Sequence, residues 1–226
     1  TSENSTTFNF GLSCASSSLD KKLTPTLVSI RQVPSLCGSV QTKCDPPNTM
    51  INSAYPIFEE HTLKYTLDFD NAESAFASCC NLKLYMNRCC RDSKINTGPA
   101  GTDFYITSDL NICGSLNNSS PKFVSFPQMV ININQPFYYA VGASDTVDFD
   151  SLSYVMVDPL KSLKDPVSWS GGFDKNNPVQ VYWPAGYDKN KGPLPASVPP
   201  IGFYMSSTSG DIVFTPTDSN QTVLCI

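Results

Sequence analysis

The chain has 226 residues, enough for one large domain or two of roughly 110. Its net charge of −5, with only 15% charged residues, offers no basic surface for nucleic acid or an anionic membrane. Sixteen Asp against four Glu, with 18 Pro and 12 Gly, favour short strands and turns and exclude a helical bundle or a doubly wound fold.

Residues 1–11 are polar and lack the apolar stretch of a signal peptide, so the expectation is a chain that begins after processing or was excised from something longer. No run is long and apolar enough to span a bilayer. Strands are predicted over 26–33, 62–69, 81–87, 104–110, 128–134, 137–141, 152–158, 179–183, 202–205, 211–215 and 222–226. The clearest is 62–69, where Leu63, Tyr65, Leu67 and Phe69 alternate with Thr62, Lys64, Thr66 and Asp68. Over 81–87 the same pattern turns Leu82, Leu84 and Met86 inward and Lys83 and Tyr85 outward. Turn signals such as Pro46-Pro47, Pro99, Gly114, Gly171-Gly172 and Pro199-Pro200 separate the strands. No window sustains a 3.6-residue repeat, and 70–77 holds one short helical turn at most. Eleven strands at this spacing suit an all-β chain of two sandwiches. The polar stretch 114–121 serves as a linker, which divides the chain into a disulfide-rich domain, 1–118, and a second, 119–226.

Nine cysteines are too many for a reducing compartment unless a metal holds them. Eight of them (Cys14, Cys37, Cys44, Cys79, Cys80, Cys89, Cys90 and Cys113) lie in the first half and permit four bridges. Adjacent cysteines close strained rings, so each member of Cys79-Cys80 and Cys89-Cys90 is expected to pair elsewhere, the two doublets with each other among the options. Cys37 and Cys44 are spaced to close a small loop. The rival reading is a zinc site, although no two doublets have its usual spacing. Cys225 is the odd one: buried and reduced, paired with Cys113, or paired beyond this sequence. The single histidine, His61, offers a base for a nucleophile, but no nucleophile motif accompanies it, and it reads as a solvated strand-edge residue. Glu59 and Glu60 are adjacent on a strand, point to opposite faces, and cannot flank one glycosidic bond.

The most specific chemical signal is the turn from Gly142 to Leu152, in which Asp145, Asp148 and Asp150 fall within six residues. Oxygen ligands at that spacing suit calcium, the hard cation of extracellular loops. The competing reading is an ordinary solvated turn; an EF-hand is excluded, since its central Gly and terminal Glu are missing. Aromatics gather from Trp169 to Tyr187. Exposed, they would stack on sugar rings; buried, they are a second core.

The order of these motifs resembles a known family. The stretch 117–158, NNSSPKFVSFPQMVININQPFYYAVGASDTVDFDSLSYVMVD, is similar to a repeated unit of the PKD- or cadherin-like adhesins associated with gliding motility in Bacteroidota. The stretch 207–216, STSGDIVFTP, looks like the closing hairpin of that unit, and Cys89-Cys90-Arg91-Asp92 looks like the doublet of the domain before it. The resemblance implies tandem immunoglobulin-like or cadherin-like sandwiches on the cell surface, exported by type IX secretion, without a catalytic centre. In the acidic turn Asp148 and Asp150 carry over directly and Asp145 does so with a bulge. Phe149 stands where the family has glycine. The family continues past 223–226 through another strand, which implies either that residues beyond this sequence supply the last strand or that the sheet has an open edge; an open edge would pair with a neighbouring chain, one route to a filament.

The expected function is therefore a non-catalytic adhesin or filament segment, a structural stalk in adhesion or gliding. Its partners would be neighbouring domains, further copies, or surface polysaccharide, with neither nucleic acid nor direct membrane insertion. The alternative is a carbohydrate-binding module of a secreted hydrolase, carried by the aromatics at 169–187. A hydrolase relying on His61 is a third.

Overall fold

The computed structural model describes residues 8–32, 59–98, 100–114, 118–125 and 131–226. The N-terminal half is built on strands β1 (Asn9–Cys14), β2 (Asp20–Leu23), β3 (Thr26–Gln32), β4 (Glu59–Lys64), β5 (Asn81–Arg88) and β6 (Phe104–Asn111). Four of them form an antiparallel sheet in the order β2-β1-β5-β6. Its register explains the core. Phe10, Leu12 and Cys14 lie opposite Met86, Leu84 and Leu82, which lie in turn opposite Ile106, Ser108 and Leu110. Because side chains alternate across a strand, one face is apolar. Leu67, Phe69, Phe76 and Cys79, from the chain before β5, pack on it. Leu12 is 0% and Leu82 1% exposed; burial of such a leucine contributes about 2 kcal/mol. The expected helical turn appears as one 3-10 turn, Ser74–Phe76.

The strand expected over 62–69 begins earlier and ends at Lys64, as β4 paired with β3. Its last apolar residues leave the ladder to cover the core. Tyr85, expected to face outward into water, instead stacks on Tyr105, with ring centroids 5.5 Å apart, and donates to Asp20 at 2.7 Å. Its ring passes over Gly11, directly across on β1, where any Cβ would overlap it. β1 and β2 were not expected, because Gly11 and the flanking polar residues break up the short Phe10-Leu12-Cys14 alternation.

The C-terminal half carries β7 (Lys122–Phe123), β8 (Phe137–Ala140), β9 (Ala143–Ser144), β10 (Tyr204–Met205) and β11 (Asp211–Phe214). They form a three-stranded sheet, β10-β11-β8, and a small pair, β7-β9. Val141, Met156, Val179, Val181, Phe203, Ile212 and Phe214 make the second core. The stretches 152–158, 179–183 and 222–226, expected as strands, are not strands. They run beside the sheet on isolated hydrogen bonds, such as Tyr154 N–H to Ser207 O at 2.8 Å and Val157 N–H to Cys225 O at 2.9 Å. Pro159, Pro178, Pro184 and Pro216 punctuate this half, and proline has no N–H to continue a ladder. Residues 131–134 likewise form a turn, while 128–130 lie outside the described residues.

The chain is thus almost entirely β, with no α-helix among the described residues. No helix there is long and apolar enough to cross a membrane. The two halves touch. Tyr105 bridges Leu160, Ser170 N–H donates to Thr97 O at 3.1 Å, and Asn96 N–H donates to Gln221 O at 3.0 Å.

Candidate functional site

The cysteines form three bridges among the described residues, not a zinc cluster. Cys14 pairs with Cys79 at a Cα separation of 6.0 Å, and Cys80 with Cys113 at 4.9 Å. One doublet thereby ties the ends of β1 and β6 to the start of β5. The other doublet departs from expectation, since Cys89 bonds its own neighbour Cys90. A bridge between the doublets is impossible, because β5 stands extended between them and eight residues span about 26 Å, far beyond disulfide reach. With those sulfurs out of range, the adjacent one is at hand. Cys37 and Cys44 lie outside the described residues. Cys225 is free and partly buried, and is not joined to Cys113. Burial pushes its thiol up, against the opposing charge of Arg91.

Arg91 is the least expected element of the site. It is 7% exposed and lies where the halves meet, donating to Asp103 O, to Thr102 Oγ1 at 3.3 Å and to Leu160 O at 2.8 Å. Its Nε has no partner. Burial lowers its pKa, opposed by Cys225 and Asp103. A second buried charge is Glu73, 1% exposed. Lys21 donates to it at 2.8 Å, Tyr65 OH at 2.8 Å and Asp68 N–H at 2.7 Å. The Lys21 ammonium, above all, holds its carboxyl down at about 2. A lone glutamate between Ala72 and Ser74 carries no sequence signal of such a role; only the fold brings Lys21 to it across fifty-two residues.

In the acidic turn, Asp145 Oδ1 accepts from Val147 N–H at 3.1 Å and from Asp148 N–H at 3.0 Å. These donors, Asp148 N–H foremost, hold its carboxyl below the usual range. Asp148 accepts from Ser119 N–H across the start of this half. Asp150 is exposed. As they stand, Asp145, Asp148 and Asp150 do not converge as one ligand set; among the described residues the trio that does is Cys89, Cys90 and Asp103. Two features still suit a cation there. Asp145 Oδ2 is buried without a hydrogen-bond partner. Phe149 has φ 58°, a left-handed bend that glycine adopts more readily.

His61 is exposed on β4, in register with Ile30. Beside it Glu60 pairs with Arg31 at 2.6 Å. Of the aromatics, Trp183 packs against the second core and Tyr187, with centroids 5.5 Å apart, and Trp169 Nε1 donates to Asp158 at 2.9 Å. Comparison of the chain with protein-family models, curated proteins and solved structures finds no match.

Proposed function

We propose that this chain is a non-catalytic, load-bearing segment of an extracellular adhesin or filament, made of two tandem immunoglobulin-like sandwiches. The observation that carries the reading is the pair of bridges at Cys79-Cys80. They fasten both neighbours of the central strand at one end, so β1 and β6 cannot be drawn off β5 there while the bridges hold. Such bridges indicate an oxidising compartment. Contacts between the halves would carry tension from one core to the next. Calcium enters the proposal as a weak ligand of the acidic turn: Asp145 Oδ2 is unpartnered, and Asp148 Oδ2 is held by Ser119 N–H. At millimolar calcium a site of the usual extracellular affinity contributes only on the order of 1 kcal/mol.

Thermal melting without additive, with chelator, with millimolar calcium and with reductant tests this. The expected outcome is a large fall with reductant, since a bridge closing a loop of 65 residues contributes about 4 kcal/mol in the loop-entropy account. Calcium should add a small rise that Asp148→Asn removes. No response to reductant would sink the stapled-stalk reading. Quenching of tryptophan fluorescence by oligosaccharide would replace it with the sugar-binding one.

A further inference from the structure

Three ligand atoms gather outside both cores. The sulfurs of Cys89 and Cys90 and a carboxylate oxygen of Asp103 lie within 4.8 Å of one another, on three exposed residues. The topology brings them there. Arg88 ends β5 and faces Phe104, which begins β6. Cys89, Cys90 and Asp103 are therefore the next residues outward on adjacent strands. Beyond the ladder, Arg91 N–H donates to Thr102 O at 2.7 Å and the Arg91 guanidinium donates to Asp103 O, so the two segments stay together.

The geometry points to a site for one thiophilic divalent cation, of the zinc or cadmium kind, that opens when the Cys89–Cys90 bridge is reduced. While bridged, both sulfurs are bonded to each other and one carboxylate alone holds nothing firmly. Two molecules of a thiol reductant deliver two electrons and two protons to the bridge. The products are two cysteine thiols and one disulfide of the reductant. The cation then displaces both thiol protons and takes two thiolates and the Asp103 carboxylate, with water in the fourth position. Thiolate ligands select a soft cation over calcium or magnesium. Two thiolates and a carboxylate leave one negative charge on the bound cation, and the Arg91 guanidinium, whose charge is felt by Asp103, offsets it. The site is separate from the acidic turn at Asp145, Asp148 and Asp150, whose oxygens suit a hard cation.

The test is a titration of the whole chain with Cd2+ after reduction by a phosphine, read by thiolate-to-cadmium absorption. The reduced wild type should bind one equivalent more than Cys89→Ser/Cys90→Ser treated in the same way. The unreduced protein, in which Cys225 is a free thiol, should lack that additional equivalent. Asp103→Asn, which keeps both thiols, should weaken that equivalent by about tenfold or more. One equivalent of Cd2+ should also protect Cys89 and Cys90 of the wild type from alkylation ahead of the other thiols, a readout that needs no substitution. Equal stoichiometry in wild type and serine variant, or no preferential protection, would overturn the site. An unchanged affinity in Asp103→Asn would overturn the three-ligand set.

Discussion

Glu73 shows how one side chain couples the first core to pH. Its carboxyl is held at about 2, below its ordinary 4.5, chiefly by Lys21. The folded value lies below the unfolded one, so its contribution is complete above about pH 4.5 and is lost as pH falls through about 2. Glu73→Gln should cost about 2 kcal/mol at neutral pH, modest for a buried pair because Lys21 is one-third exposed and regains water. Its unfolding free energy should then fall less than that of wild type over that acid window; parallel curves would show that Glu73 is not the titrating group. At Phe149 the prediction has the opposite sign. The side chain is 81% exposed and the backbone sits at φ 58°. Glycine there relieves about 1–2 kcal/mol of left-handed strain and loses part of it to unfolded-state entropy. Phe149→Gly should therefore stabilise by about 0.5–1 kcal/mol and Phe149→Val should destabilise. Denaturant midpoints in the absence of calcium decide between this and an unstrained turn.

Within the first sheet, the Tyr85 ring can lie across β1 only because residue 11 has no side chain. The Tyr85 ring, stacked on Tyr105 and anchored to Asp20, occupies the space a Cβ would need. Burial, and then its hydrogen bond to Asp20, push the Tyr85 phenol well above its usual value, and burial does the same for Tyr105, to about 12. The two rings stack on each other and stay neutral across the physiological range. Gly11→Ala should cost about 1–3 kcal/mol by overpacking, and Tyr85→Ala should recover much of it. Additive losses in a double-mutant cycle would show that the two positions do not meet. The alternation that marks β5 was legible in the sequence, and so were its inward residues. That its outward tyrosine is half covered was not, since the covering ring comes from β6 and the room from β1.

Across the whole molecule, the segment between β5 and β6 holds the halves together. Thr97, 0% exposed, donates to Thr222 Oγ1 at 2.7 Å, which donates to Pro178 O at 2.8 Å. Asn96 Oδ1 accepts from Gln221 N–H at 3.0 Å. Thr97→Val keeps the shape and removes the donor, at a cost of about 1–2 kcal/mol. Hydrogen exchange should accelerate at the Asn96 and Gln221 amides while β5 stays protected; unchanged exchange at both amides would mean that this contact does not couple the halves.

Composition and alternation alone were enough to read the chain as almost entirely β, to favour disulfides for its cysteines, and to assign the inward face of 81–87. These are local properties: period-two alternation, proline and glycine spacing, and composition each act within a few residues. The sequence also marked Asp145, Asp148 and Asp150 as one turn, although not the inward hydrogen bonds of Asp145 or the reach of Asp148 to Ser119. Which sulfurs meet is set at long range, because pairing depends on strand direction and on the length of β5 between the doublets. Tertiary packing likewise decided that 152–158, 179–183 and 222–226 pack as expected apolar segments without joining a ladder. Burial needs only an apolar side chain at the right place. A ladder also needs a partner in register along its length: Pro159, Pro178 and Pro184 bound two of these segments, and long-range packing leaves all three with only isolated bonds.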